Sequence, residues 1–160
     1  MSDFTHIDSN GSVRMVDVSE KQATFRTAIA EGVVHLSGDT LSKIVTQTVK
    51  KGNVLEAARI AGVMGAKRTA DLIPMCHPLN LTYAAVDFFP DLESNTIRIQ
   101  AEVRLSGQTG VEMEALTAVT VAALTIYDMV KSYDKGVSFS SIRLMKKTGG
   151  KSGTYINPNA

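Results

Sequence analysis

The sequence predicts an α+β fold: an antiparallel sheet with helices packed on one face. Residues 96–105 (TIRIQAEVRL) alternate, setting Ile97, Ile99, Ala101, Val103 and Leu105 on one side, as a strand with one buried face requires. Residues 110–132 form a long helical pattern whose middle, Ala115 to Ile126 (ALTAVTVAALTI), carries no charge. The predicted order is strand, two helices, two strands, one helix, strand, which suits helices covering one face of an antiparallel sheet.

Residues 1–12 are polar and contain Asn10-Gly11, so a flexible tail is expected, followed by a single domain over 13–153 and a C-terminal tail over 154–160. Residues 23–36 (ATFRTAIAEGVVHL) read as a strand through Phe25, Ile29, Val33 and Val34. Ser37-Gly38-Asp39-Thr40 looks like a helix start, with Leu41, Ile44, Val45 and Val49 as its apolar face. Lys51-Gly52-Asn53 breaks that helix, and Asn53 can cap the next. The helix at about 54–67 carries small residues at helical spacing: Ala57, Ala61, Gly65 and Ala58, Gly62, Ala66. Such stripes permit close backbone approach to another element, at some cost in helix propensity. Pro74 and Pro78 then enclose Met75-Cys76-His77 in a stiff, irregular segment. Residues 81–89 (LTYAAVDFF) form the strand before 96–105, and 137–147 the last one, ahead of a flexible loop at 148–153. A surface helix shows a polar stripe, so the uncharged helix is expected to be covered on more than one side.

A chain of 160 residues fits one domain, and 44% apolar with 21% charged residues is an ordinary globular balance. The single cysteine, Cys76, excludes an internal disulfide. The N-terminal stretch has no basic region followed by an apolar one, and no apolar run reaches the roughly 20 residues of a membrane helix, so the expected location is cytoplasmic, without a membrane partner. A net charge of +1 is too weak to imply nucleic acid. The lysines and arginines nevertheless cluster, in residues 50–71 and 130–151, which suits an anionic small molecule better than a long polyanion.

Several residues could carry chemistry. Asp128 and Lys131, three apart near the end of the long helix, share a face; that spacing suits a surface ion pair, or an acid/base couple continuing an otherwise buried helix. His77 could make a structural hydrogen bond or serve a site. Zinc is not expected at the Cys76-His77 pair, because the two are adjacent and no second Cys/His pair completes a tetrahedral set, and no metal site is expected. Gly149-Gly150-Lys151-Ser152-Gly153 resembles the end of a phosphate loop, but Met145 stands where the full motif has its first glycine. What remains is a glycine-rich segment whose N–H groups can approach an anion, with Lys146, Lys147 and Lys151 for charge, or a solvated basic loop. Glu112 and Glu114 open the long helix, where they suit its dipole or could accept from a purine-like ring.

Together these segments resemble the family of molybdenum cofactor biosynthesis protein C, the cyclic pyranopterin monophosphate synthases. The resemblance is carried by MVDVSEK at 15–21, KGNVLEAARIAG at 51–62, AKRTADLIPMCHPL at 66–79, TGVEMEALTAVTVAALTIYDMVK at 109–131 and KTGGKSG at 147–153. It implies a ferredoxin-like fold and a cyclised GTP derivative as substrate, with C8 of the base joined to the 3′ carbon of the ribose. It implies a lyase reaction that rebuilds this skeleton as a pyranopterin, closes a cyclic phosphate and expels pyrophosphate. By position, Asp128, Lys131 and Lys51 correspond to catalytic residues. Arg26, Lys67, Arg68, Lys147 and Lys151 correspond to basic positions suited to the triphosphate. Met75, Cys76, His77, Glu112, Met113 and Glu114 correspond to the segments around the base. No cofactor is required, though magnesium on the triphosphate is compatible, and the implied assembly is a homo-hexamer, a trimer of dimers. The uncharged and small-residue helices are expected to supply its contacts, and each active site is expected to be shared between chains. Two other readings remain: an RNA-binding ferredoxin-like module, which the strand at 96–105 disfavours by lacking aromatic residues for base stacking, and a non-catalytic GTP-binding oligomer.

Overall fold

A computed structural model describes residues 10–159; the expected tail at 1–12, with His6, lies mostly outside the described residues. In chain order the elements are β1 (Thr24–His35), α1 (Gly38–Val45), α2 (Val54–Lys67), α3 (Thr69–Leu72), β2 (Tyr83–Asp91), β3 (Thr96–Gly107), α4 (Glu112–Val130), β4 (Ser138–Thr148) and β5 (Tyr155–Ile156). The strands form one sheet in the order β2-β3-β1-β4-β5, and every neighbouring pair is antiparallel. The first four strands with their two helical crossovers have the ferredoxin-like arrangement, and β5 extends it at one edge.

Side-chain alternation decides which face is covered. Ile97, Ile99, Ala101, Val103 and Leu105 of β3 lie in register with Val34, Gly32, Ala30, Ala28 and Arg26 of β1, and all five β3 residues are at most 2% exposed. Against them lie Ala115, Ala118, Val119, Ala122, Ile126 and Val130 of α4. Full burial of a side chain such as Ile126 contributes roughly 1.5–3 kcal/mol. By length and composition α4 could cross a membrane, but here it is a core helix on the sheet.

The helix starts follow their capping residues. Ser37 Oγ accepts from Thr40 N at 3.3 Å, and Asn53 Oδ1 accepts from Glu56 N at 3.1 Å. α1 ends at Val45, short of the Gly52 break, so Val45 stays exposed while Val49 reaches the core from the connection. Pro90 lies inside β2 rather than after it; β2 is an edge strand, where a missing N–H is tolerated. α3 and β5 are additions to the expected elements, and β5 pairs within the segment expected as a C-terminal tail.

The small-residue stripe of α2 is used inside the chain. A side chain at Gly62 would meet the Ala118 carbonyl at 2.9 Å, and one at Gly65 would meet Val121 at 2.9 Å. Ala58, Gly62 and Ala66 therefore bring α2 against α4 of the same chain. α4 is thus covered by the sheet and by α2, yet Leu124 remains 54% exposed, as do Ile60 (62%) and Met64 (52%) on α2.

Candidate active site

The candidate residues gather at the two ends of α4. At the C-terminal end, Lys131 caps the helix, donating its N–H to the Tyr127 carbonyl at 2.8 Å. Its Nζ lies 2.8 Å from Asp128 Oδ1. Lys51 enters from the α1–α2 connection, where Gly52 takes a φ of 101°, a conformation glycine adopts without strain. Lys51 Nζ donates to the Asp128 backbone carbonyl at 2.6 Å and lies 3.6 Å from Asp128 Oδ2. The Lys131 hydrogen bond and charge, joined by the Lys51 charge, hold the Asp128 carboxyl below its usual range, and Asp128 raises Lys131 in return. The structure therefore brings Lys51, Asp128 and Lys131 together. The carboxylate is 60% exposed, so these ion pairs contribute little to stability and the cluster is open to a ligand.

At the N-terminal end of α4, three pockets run into one another. The largest, about 1040 Å³, is walled by Arg26, Lys147 and Lys151 together with Asp17, Lys21 and Glu112. A second, about 400 Å³, is lined by Met75, Cys76, His77, Glu112, Met113 and Glu114, and shares Lys21, Thr109, Gly110 and Glu112 with the first. A third, about 350 Å³, holds Lys67 and Arg68 and joins the second through His77, Leu79 and Glu114. The five basic residues grouped in the sequence are thus divided: Arg26, Lys147 and Lys151 on one side, Lys67 and Arg68 on the other.

Local structure explains these placements. Arg26 projects from β1 beside the loop before α4, donating to the Gln108 carbonyl at 3.2 Å. The β4–β5 connection crosses over this guanidinium at Gly150, whose φ is 75° and where any side chain would collide with Arg26. Lys147 pairs with Glu112 at 2.8 Å, tying β4 to the start of α4. Cys76 N donates to the Ile73 carbonyl at 3.1 Å and closes the turn after α3. Pro74 and Pro78 flank that turn, which points Met75-Cys76-His77 at the helix start.

The two carboxyls of α4's first turn have different surroundings. Glu112 is half-buried and ion-paired, whereas Glu114 is 3% exposed. Burial first, and the neighbouring Glu112 charge after it, push the Glu114 carboxyl up from 4.5 to about 7, against the lowering effect of its own backbone N–H. Glu114 can therefore exchange a proton near neutral pH, as a group serving as acid or base must. Burial and the Glu114 charge raise the Cys76 thiol, which disfavours the nucleophilic thiolate. Among the described residues no three His, Cys, Asp or Glu side chains converge to hold a metal ion.

The two clusters do not meet within one chain. Asp128 lies sixteen positions after Glu112 on α4, about 24 Å at 1.5 Å per residue. Residue-level sequence reading also passed over Asp17 and Lys21, although they lie in the MVDVSEK stretch. Asp17 Oδ1 accepts from Ser19 N at 2.9 Å and Ser19 Oγ at 2.7 Å. Those bonds foremost, with a smaller effect of the Arg14 charge, hold its carboxyl below the usual range.

Fold and site define a ferredoxin-like α+β protein with a cation-lined groove of small-molecule size beside titratable carboxyls. The chain belongs to the MoaC family, whose model matches residues 15–150. It is 69% identical over 156 residues to the cyclic pyranopterin monophosphate synthase of Desulforapulum autotrophicum, covering 98% of this chain and 96% of that relative. The proteins of the same name from Desulfatibacillum aliphaticivorans and Dinoroseobacter shibae are 59% and 57% identical, the alignments covering 98% and 97% of this chain and 99% and 98% of the relatives.

Proposed function

We propose that this protein is a cyclic pyranopterin monophosphate synthase of molybdenum cofactor biosynthesis. It converts the cyclised GTP derivative to cyclic pyranopterin monophosphate and pyrophosphate. The observation that carries the reading is the continuity of the groove: a large pocket walled by Arg26, Lys147 and Lys151 opens into a smaller one walled by His77, Glu112 and Glu114. A triphosphate suits the first, because preplaced cations stabilise the charge gathering on phosphoryl and leaving oxygens. A ring bearing N–H and amino groups suits the second. The lysines and arginines supply the charge, so the reading calls for no resident cofactor or metal; any magnesium arrives on the triphosphate.

The active site in this reading is shared. Asp128, with Lys51 and Lys131 beside it, lies about 24 Å along α4 from Glu112 of its own groove, too far to touch the same small molecule. A second copy bringing its cluster to the groove resolves this, within a homo-hexamer arranged as a trimer of dimers. The enzyme acts in the cytoplasm in this reading. The deciding experiment is incubation of purified protein with the cyclised GTP derivative, followed by assay for pyrophosphate and the cyclic pterin. Absence of both products overturns the assignment.

A further inference from the structure

The large pocket and the ring pocket share four residues: Lys21, Thr109, Gly110 and Glu112. Lys21 is the one cation among them. Of the other cations nearby, Arg26 donates to the Gly107 and Gln108 carbonyls, Lys147 pairs with Glu112, and Lys151 borders the large pocket alone. Among the described residues no carboxylate stands within ion-pair distance of the Lys21 ammonium. Its backbone is held in place nevertheless. Lys21 N donates to the Val18 carbonyl at 2.9 Å, Asp17 braces the same turn through Ser19, and Gln108 Nε2 reaches the Ser19 carbonyl at 3.5 Å. The turn is thereby fastened to the loop that leads into α4.

We propose that Lys21 is a catalytic residue that binds the phosphorus retained in the product, the α-phosphoryl group. This rests on the function proposed above. In a nucleoside-triphosphate-like molecule the α-phosphate is the anionic group between the base and the two outer phosphates. A cation bordering both the ring pocket and the phosphate pocket meets that group. In the cyclisation a ribose-derived hydroxyl oxygen bonds to the α-phosphorus, and the bond from that phosphorus to the bridging oxygen breaks. Pyrophosphate leaves with the electron pair and takes up the hydroxyl proton, so atoms and charge balance. Lys21 neutralises the α-phosphoryl oxygens as this happens, while Arg26, Lys147 and Lys151 hold the departing pyrophosphate.

The test compares wild type, Lys21→Met, Lys21→Arg and Lys151→Ala, with melting temperatures to confirm folding. Loss of one such charge-stabilising contact costs about 10²–10³-fold in kcat. Lys21→Met is expected to lose kcat on that scale with little change in KM, and Lys21→Arg to recover part of it. Binding of pyrophosphate, measured by calorimetry, is expected to be unchanged in Lys21→Met and weakened in Lys151→Ala. If wild type turns over and folded Lys21→Met keeps kcat within twofold, the Lys21 role is wrong. Loss of pyrophosphate affinity in Lys21→Met likewise overturns it, moving Lys21 to the leaving group. A folded wild type without turnover overturns the proposed function, and the role of Lys21 with it.

Discussion

Lys131 Nζ and Asp128 Oδ1 lie 2.8 Å apart on the last turns of α4, with Lys51 approaching the same carboxylate from another loop. An ammonium on either side keeps Asp128 ionised across the neutral range and able to accept a proton only transiently. Asp128→Asn should therefore keep the fold and assembly but lower turnover by about 10²–10⁴-fold, the usual cost of losing a general acid or base. Near-normal product formation by the purified variant would remove Asp128 from the chemistry.

Lys51→Ala should reduce pyrophosphate release far more than it reduces stability. Lys51 is 41% exposed and its contacts are one carbonyl and one exposed carboxylate, which hold little of the fold's stability. Thermal melting is the check: a large drop in melting temperature would make the residue structural.

Glu114 gives a pH signature with a definite sign. Its carboxyl is raised from 4.5 to about 7 in the fold, so the folded protein holds that proton more tightly than the unfolded chain. The resulting stability is fully present below about 4.5 and is lost as pH rises through about 7. Glu114→Gln, which cannot ionise, should melt at temperatures that vary less between pH 5 and pH 8, with its advantage over wild type largest at the alkaline end. Parallel melting curves for the two proteins would contradict the burial effect.

The shared site predicts complementation. His77→Ala lesions the groove and Asp128→Asn lesions the distant cluster, so each protein alone should be inactive. Mixed under conditions that exchange subunits, random assortment leaves roughly a quarter of sites with neither lesion if the residues act in trans. Mass spectrometry of differently tagged chains verifies the exchange. Exchange with no recovery of activity would rule the shared site out.

Much of this molecule is legible residue by residue. Ser37 and Asn53 announce helix starts because a short polar side chain is what the first N–H groups need, and the alternation in β3 announces one buried face. α3 and β5 escape notice because four and two residues are too few to show a period. The small residues of α2 signal a close approach, yet nothing in their spacing says whether the approaching helix belongs to the same chain; α4 turned out to be that helix. In the groove, Glu112, Glu114 and His77 stand in distinctive stretches. Lys21 looks like any surface lysine until the contact between Gln108 and Ser19, 89 residues apart, brings its turn beside α4.

The pairing of Tyr155 with Lys147 and of Ile156 with Lys146 makes residues 149–153 the tip of a hairpin whose two ends are held side by side. A tip tethered at both ends samples far fewer arrangements than a free chain end of the same composition. Ordering a residue's backbone costs about 1–2 kcal/mol, and glycine has the most freedom to lose, so glycines at 149, 150 and 153 would make a dangling segment expensive to settle around an anion. β5 removes part of that cost in advance, before any ligand arrives. An anion settling at the tip would find the two anchoring pairs already made in the sheet.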